Sequence, residues 1–337
     1  MRKILEKFCL ALFVPVVLFV FFFVYEPFDY WTAKGWSIYT AKPISAMREL
    51  RVRRDGDYLL IGDSRMANLN TDMVSEAAGV RYVNLAFGGG TLGENAEQLR
   101  YVFEDLGIVP EKVVVGLNFY TASPNHSADR IFETEQKVEK LREFISVPDY
   151  WYYALREFEV KISEELAELT GNESIRRVLE DPTDPNQNTA PTVTEYKNDY
   201  RYDILAYSDT ITAQIGDYGD IRVTLETLNE MIDLCEAHGT KIEFVLWPCN
   251  RCMFDRVIDA LDLQDEIDAY KDLLKSRCVV YDMEWESALA GDDSSFLDGF
   301  HLVTSAKQKL ISAVFGGESV SWCTVSVPED YLAGKAE

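Results

Sequence analysis

The residues able to do covalent chemistry lie at two ends of the chain. One end is the stretch Tyr58-Leu-Leu-Ile-Gly-Asp-Ser-Arg65, where a short apolar run stops at Gly62 and delivers Ser64. A serine placed just after a buried strand sits at the carboxyl edge of a sheet, where open α/β folds bind ligands. A helix starting there points free N–H groups at whatever the serine attacks. The same residues also suit helix capping, so the stretch alone supports both a nucleophile and a cap.

A serine hydroxyl needs a base to take its proton. The sequence holds three histidines, His126, His238 and His301. His238 precedes Gly239 at a helix end, which suits a structural role. His126 sits in the loop Ala122-Ser-Pro-Asn-His-Ser127 without an evident partner. His301 closes Leu297-Asp-Gly-Phe-His301, and Asp298, three residues earlier, is close enough to orient its imidazole. Taken alone, that pair also fits a capping aspartate beside a surface histidine.

In order along the chain stand Gly62-Asp-Ser64, Asn84-Leu-Ala-Phe-Gly-Gly-Gly-Thr91, Gly116-Leu-Asn118 and Asp298-Gly-Phe-His301. This ordered set resembles the four blocks of the SGNH (GDSL-type) hydrolase superfamily over roughly half the chain. One position departs: Phe119 follows Asn118, where the family often has aspartate. The resemblance implies a three-layer, flavodoxin-like α/β fold around a central parallel sheet. It implies Ser64 as nucleophile, His301 as base and Asp298 as its orienting acid. The implied oxyanion hole comprises the backbone N–H groups of Ser64 and Gly89 and the side-chain amide of Asn118. No cofactor and no metal are implied. An acyl-serine would form, with water (an esterase) or a sugar hydroxyl (an acyltransferase) as acceptor. Ser64 lacks a Gly-x-Ser-x-Gly elbow, which argues against the ordinary α/β-hydrolase fold.

With 337 residues and 47% apolar content, the chain can fill one large core. Its net charge of -24 argues against nucleic acid and against docking on anionic lipid. Phe8 to Tyr25 is an uncharged apolar run, preceded by Arg2, Lys3 and Lys7 and followed by Glu26 and Asp29. Its length suits a membrane span, and the charge asymmetry predicts a cytoplasmic amino terminus with the remainder exported. No small-x-small cleavage site follows, so an uncleaved anchor is expected. An exported domain of this kind on a single anchor resembles the alginate O-acetyltransferase group and the D-alanyl–teichoic acid transfer proteins. That resemblance implies O-acyl chemistry on a cell-surface polysaccharide and a multi-spanning membrane O-acyltransferase as partner. The alternatives are an esterase or lipase acting on acyl esters, and a non-catalytic binding protein.

Residues 1–25 read as cytoplasmic terminus and anchor, and 26–54 as a juxtamembrane stalk. Residues 55–120 and 221–315 read as the catalytic-type core, with a mainly helical insertion at 121–220 and a tail from 316. Apolar runs predict strands over 58–61, 81–85, 112–117, 241–247 and 278–282. Helical spacing predicts helices over 66–78, 92–106, 221–238, 254–274 and 303–315. Alternation of the two indicates parallel βαβ units. The insertion carries the aromatic cluster Pro148-Asp-Tyr-Trp-Tyr-Tyr153, and fits either a lid or a peripheral subdomain. Cys249-Asn-Arg-Cys252 fits a small disulfide or free thiols, while a zinc site would need two further ligands.

Overall fold

The computed structural model describes residues 56–124 and 203–329, with isolated positions between 13 and 20 and between 162 and 171. The run at 8–25 and the aromatic cluster at 148–153 fall almost wholly outside the described residues, as does His126. Among the described residues, no helix is long and apolar enough to cross a membrane.

Among the described residues six strands form one sheet: β1 (Tyr58–Ile61), β2 (Val83–Asn84), β3 (Lys112–Leu117), β4 (Lys241–Leu246), β5 (Val279–Asp282) and β6 (Thr324–Ser326). Their order is β2-β1-β3-β4-β5-β6. The first five run parallel. The sheet is nevertheless mixed rather than wholly parallel, because β6 runs against β5. Thr324 pairs with Asp282, so the chain enters β6 beside the carboxyl end of β5 and runs the other way.

Nine α-helices surround the sheet among the described residues. They are α1 (Ser64–Ala67), α2 (Thr71–Ala78), α3 (Leu92–Glu104), α4 (Phe119–Ala122), α5 (Ile204–Ile215), α6 (Ile221–His238), α7 (Arg251–Leu261), α8 (Gln264–Arg277) and α9 (Thr304–Val314). Strand side chains alternate between two apolar layers, as the pleat requires. Leu59, Ile61, Val113, Val115, Phe244 and Leu246 meet α3 and α5 to α8 on one face. Leu60, Val114, Val245 and Trp247 meet α1, α2 and α9 on the other. Each fully buried Val, Leu or Ile contributes roughly 1.5–3 kcal/mol, so these two layers dominate the fold's stability.

Two long predicted helices are each broken in two. Between α1 and α2 the chain turns, and the Asn70 side chain caps α2 by accepting from Met73 N at 3.0 Å. Between α7 and α8, Asp262 takes a left-handed conformation at φ 53°. Helix α5, at the end of the 121–220 segment, packs Ile211 and Ile215 into the main core. The tail beyond residue 316 contributes the edge strand β6.

Candidate active site

The strand order reverses direction at β1 and β3, since β1 is followed outward on one side by β2 and β3 opens the run to β5. Such a switch point leaves a crevice at the strands' carboxyl ends. Ser64 follows β1 and Asn118 follows β3, so both stand at this crevice.

Asp63, not Ser64, caps α1: its Oδ1 accepts from Arg65 N at 2.9 Å. That leaves the serine hydroxyl uncommitted to the cap, and Ser64 Oγ lies 2.7 Å from His301 Nε2. His301 Nδ1 lies 2.6 Å from Asp298 Oδ2. Asp298 Oδ1 accepts from the backbone N of Phe300 at 2.9 Å and of His301 at 2.7 Å, which fixes the carboxylate. Burial raises the pKa of this carboxyl, but hydrogen bonding and charge from His301, with the two backbone donors, outweigh burial and leave it lowered. The aspartate is therefore ionised and holds the imidazole with Nδ1–H toward itself, leaving Nε2 to accept from Ser64.

The loop carrying this pair is pinned at several points. Leu297 N donates to His301 O at 2.7 Å, Phe296 bridges Leu302, and Asn250 N donates to Gly299 O at 2.7 Å. Gly299 adopts φ +96°, and a Cβ there would lie 2.6 Å from Met253 Cε. Only glycine suits that turn.

Asn118 is fully buried and caps α4. Its Oδ1 accepts from Arg65 Nη2 at 2.8 Å, Tyr120 N at 3.0 Å and Thr121 N at 3.2 Å. Its Nδ2 has no hydrogen-bond partner among the described residues. The glycine of Gly116-Leu-Asn118 makes room for a neighbour, since a Cβ on Gly116 would lie 2.6 Å from Trp247 Nε1. Gly89 lies at φ 69° in the turn closed by Gly90 N donating to Phe87 O at 3.1 Å. Phe87 N donates to Gly62 O at 3.2 Å, which ties this turn to the loop carrying Ser64.

The structure thus joins Ser64, His301 and Asp298 by hydrogen bonds, ties Asn118 by a hydrogen bond to Arg65, the residue after Ser64, and hangs the Gly89 turn on Gly62. His238 stands apart, stacked on Phe103 with ring centroids 4.5 Å apart. Two charged residues at the site carry no sequence signature. Arg65 is 4% exposed and binds both Asp63 oxygens, and its guanidinium carbon lies 5.2 Å from the Phe300 ring centre. Glu284, after β5, accepts from Phe119 N at 2.7 Å and from the Tyr270 hydroxyl. Burial pushes its carboxyl up to about 7, against the opposing pull of Lys271.

The five described cysteines are free, so Cys249 and Cys252 form no disulfide. Cys249 is buried near Arg65, and burial raises its thiol pKa well above the usual value. Thiolate chemistry at this site is accordingly disfavoured.

No protein-family model matches the chain, and no curated protein matches it. Among solved structures, the crystal structure of TesA is similar at 12% identity, covering 77% of this chain and 95% of that one with a TM-score of 0.39. The crystal structure of LAE5, an α/β hydrolase enzyme from the metagenome of Lake Arreo, Spain, is similar at 10% identity, covering 77% of this chain and 93% of that one with a TM-score of 0.36.

Proposed function

We propose that this protein is a serine-dependent enzyme of acyl esters, of the SGNH hydrolase type. The observation that carries this reading is the continuous relay from Ser64 Oγ to His301 Nε2 at 2.7 Å and from His301 Nδ1 to Asp298 at 2.6 Å. Ser64 Oγ attacks the ester carbonyl while His301 takes its proton. The tetrahedral oxyanion is met by the unpartnered Asn118 Nδ2, with the backbone N–H groups of Ser64 and Gly89 as further donors. The C–O bond to the leaving alcohol breaks as His301 returns the proton to it, giving an acyl-serine. An acceptor hydroxyl, deprotonated by His301, then releases the acyl group and restores Ser64.

Water as acceptor makes the protein an esterase, which the relay alone accounts for. A sugar hydroxyl as acceptor is favoured by the apolar run at 8–25, which would anchor the domain outside the membrane beside a cell-surface polysaccharide. On that reading the acyl group comes from a multi-spanning membrane O-acyltransferase.

The test is mass spectrometry of the full chain in detergent after a fluorophosphonate probe. An adduct on Ser64, absent from Ser64→Ala and lost with His301→Ala, supports the nucleophile. No adduct on the folded protein refutes it. Product analysis with and without a glycan acceptor separates the two acceptors.

A further inference from the structure

Resting on that acyl-serine reading, we propose that Arg65 is a positioning residue for the oxyanion donor. Its buried guanidinium holds Asn118 Oδ1 and so presents the Asn118 amide N–H groups to the site.

A carboxamide has two ends of similar shape, and only its hydrogen bonds decide which end faces where. Here Oδ1 takes four donors, one of them charged: Arg65 Nη2, Tyr120 N, Thr121 N and, at 3.3 Å, Thr121 Oγ1. Turning the amide over would set its N–H groups against the three N–H donors. Asn118 Nδ2 is left buried and unpartnered, and burying an unsatisfied donor is costly unless a ligand or water completes it. A carbonyl oxygen polarised by a nearby cation also makes its own N–H groups stronger donors.

The cation serves more than this bond. Arg65 sits in α1 with Ser64, its Nη2 bonds Asn118 beyond β3, and Phe300 of the His301 loop packs on its guanidinium. One side chain therefore touches all three loops that bring the reacting groups together. Asp63 neutralises it through both carboxylate oxygens, so the charge is held in place rather than solvated. Lysine, with a single point of attachment, cannot hold Asp63 at two oxygens and Asn118 together.

The experiment is a double-mutant cycle on the full chain. Arg65→Met alone would leave Asp63 buried and unpaired, so the pair Asp63→Asn with Arg65→Met removes both charges together. Arg65→Lys keeps the ion pair and shortens its reach. The readout is kcat and KM on a neutral p-nitrophenyl ester, with thermal melting to establish folding. The expected result is a drop in kcat of about 10- to 100-fold with KM nearly unchanged, part of the loss of one oxyanion donor, and partial rescue by Arg65→Lys. In an Asn118→Ala background the same change should cost less than about threefold, since the group it acts through is gone. Equal losses in both backgrounds, or no loss in the parent, would overturn the inference while leaving a labelled Ser64 intact. Failure of the unaltered protein to label at Ser64 would overturn the acyl-serine reading, and this inference with it.

Discussion

Replacing Asp298 by asparagine removes one charge and reverses one hydrogen bond. The native Oδ1 accepts from the backbone N of Phe300 and of His301, at 2.9 and 2.7 Å. An amide keeps those two bonds by placing its oxygen there, so its NH2 faces His301 Nδ1, 2.6 Å away in the parent. The imidazole must then accept at Nδ1 and carry its proton on Nε2. Nε2 is the atom 2.7 Å from Ser64 Oγ, so the base becomes a donor and the serine keeps its proton. The expected loss in kcat is about 10⁴, equivalent to about 5.4 kcal/mol in the barrier. Stability should fall by only about 1–2 kcal/mol, because one charge-assisted bond is replaced by a neutral one. The pH dependence carries a sign as well. The native carboxyl is lowered, so its contribution is present above its unfolded value and lost as pH falls through the folded one. The Asp298→Asn variant should therefore show a shallower acid limb in melting experiments. The assay is ester turnover and fluorophosphonate labelling on this variant, with melting temperatures alongside. Activity within about tenfold of the parent in a folded variant would refute the tautomer argument, since tautomer control elsewhere is worth about 10⁴.

Gly299→Ala forces a Cβ onto a φ of +96° and to 2.6 Å from Met253 Cε. It should cost about 1–3 kcal/mol in urea titrations and lower turnover by displacing His301, and an unchanged rate and stability would show the turn to be permissive. Glu284 has its carboxyl raised from 4.5 to about 7, with Lys271, Tyr270, Asp282 and Phe119 N around it. Its contribution is full below the unfolded value and falls as pH rises to about 7, by up to roughly 3 kcal/mol. Glu284→Gln should flatten the stability profile across that window, and an unaltered slope in urea midpoints would contradict it. Lys307 is 7% exposed, and burial lowers its amine from 10.5 to about 8. Its buried charge destabilises the fold below about 8 and ceases to do so as pH rises to 10.5, so Lys307→Met should stabilise the protein at neutral pH by up to roughly 3 kcal/mol. A lower melting temperature in that variant would count against it.

The strand over 112–117 matches its expected bounds, as do two elements that stop on glycine. Tyr58–Ile61 ends at Gly62 and Ile221–His238 at Gly239, and both follow their apolar patterns. The breaks inside 66–78 and 254–274 were not legible, because apolar spacing continues through Leu69 and Leu263 while Asn70 and Asp262 redirect the chain. The direction of β6 depends on where the tail re-enters the sheet, which no local pattern records. Ser64, Asp298 and His301 could be nominated because their residue types suit proton transfer and the ordered set of motifs joins them, and Asn118 only because that set's resemblance implies it. Arg65 and Glu284 could not, because a charged residue in sequence defaults to solvent. Both are buried only because their partners, Asp63 and Asn118 for one and Tyr270 and Phe119 N for the other, come from separate elements.

Ser64 and the histidine that reaches it are 237 residues apart in the chain. At ribosomal speeds, roughly 10 to 50 s pass between the synthesis of one and of the other. On the proposed mechanism the serine is an ordinary alcohol throughout that interval, because β1 and β3 can place it but the imidazole that would draw off its proton has yet to be made. Any fragment ending before residue 298 inherits the same inertness. On the proposed mechanism, reactivity thus waits on the loop that precedes α9, and every product ending short of His301 lacks it.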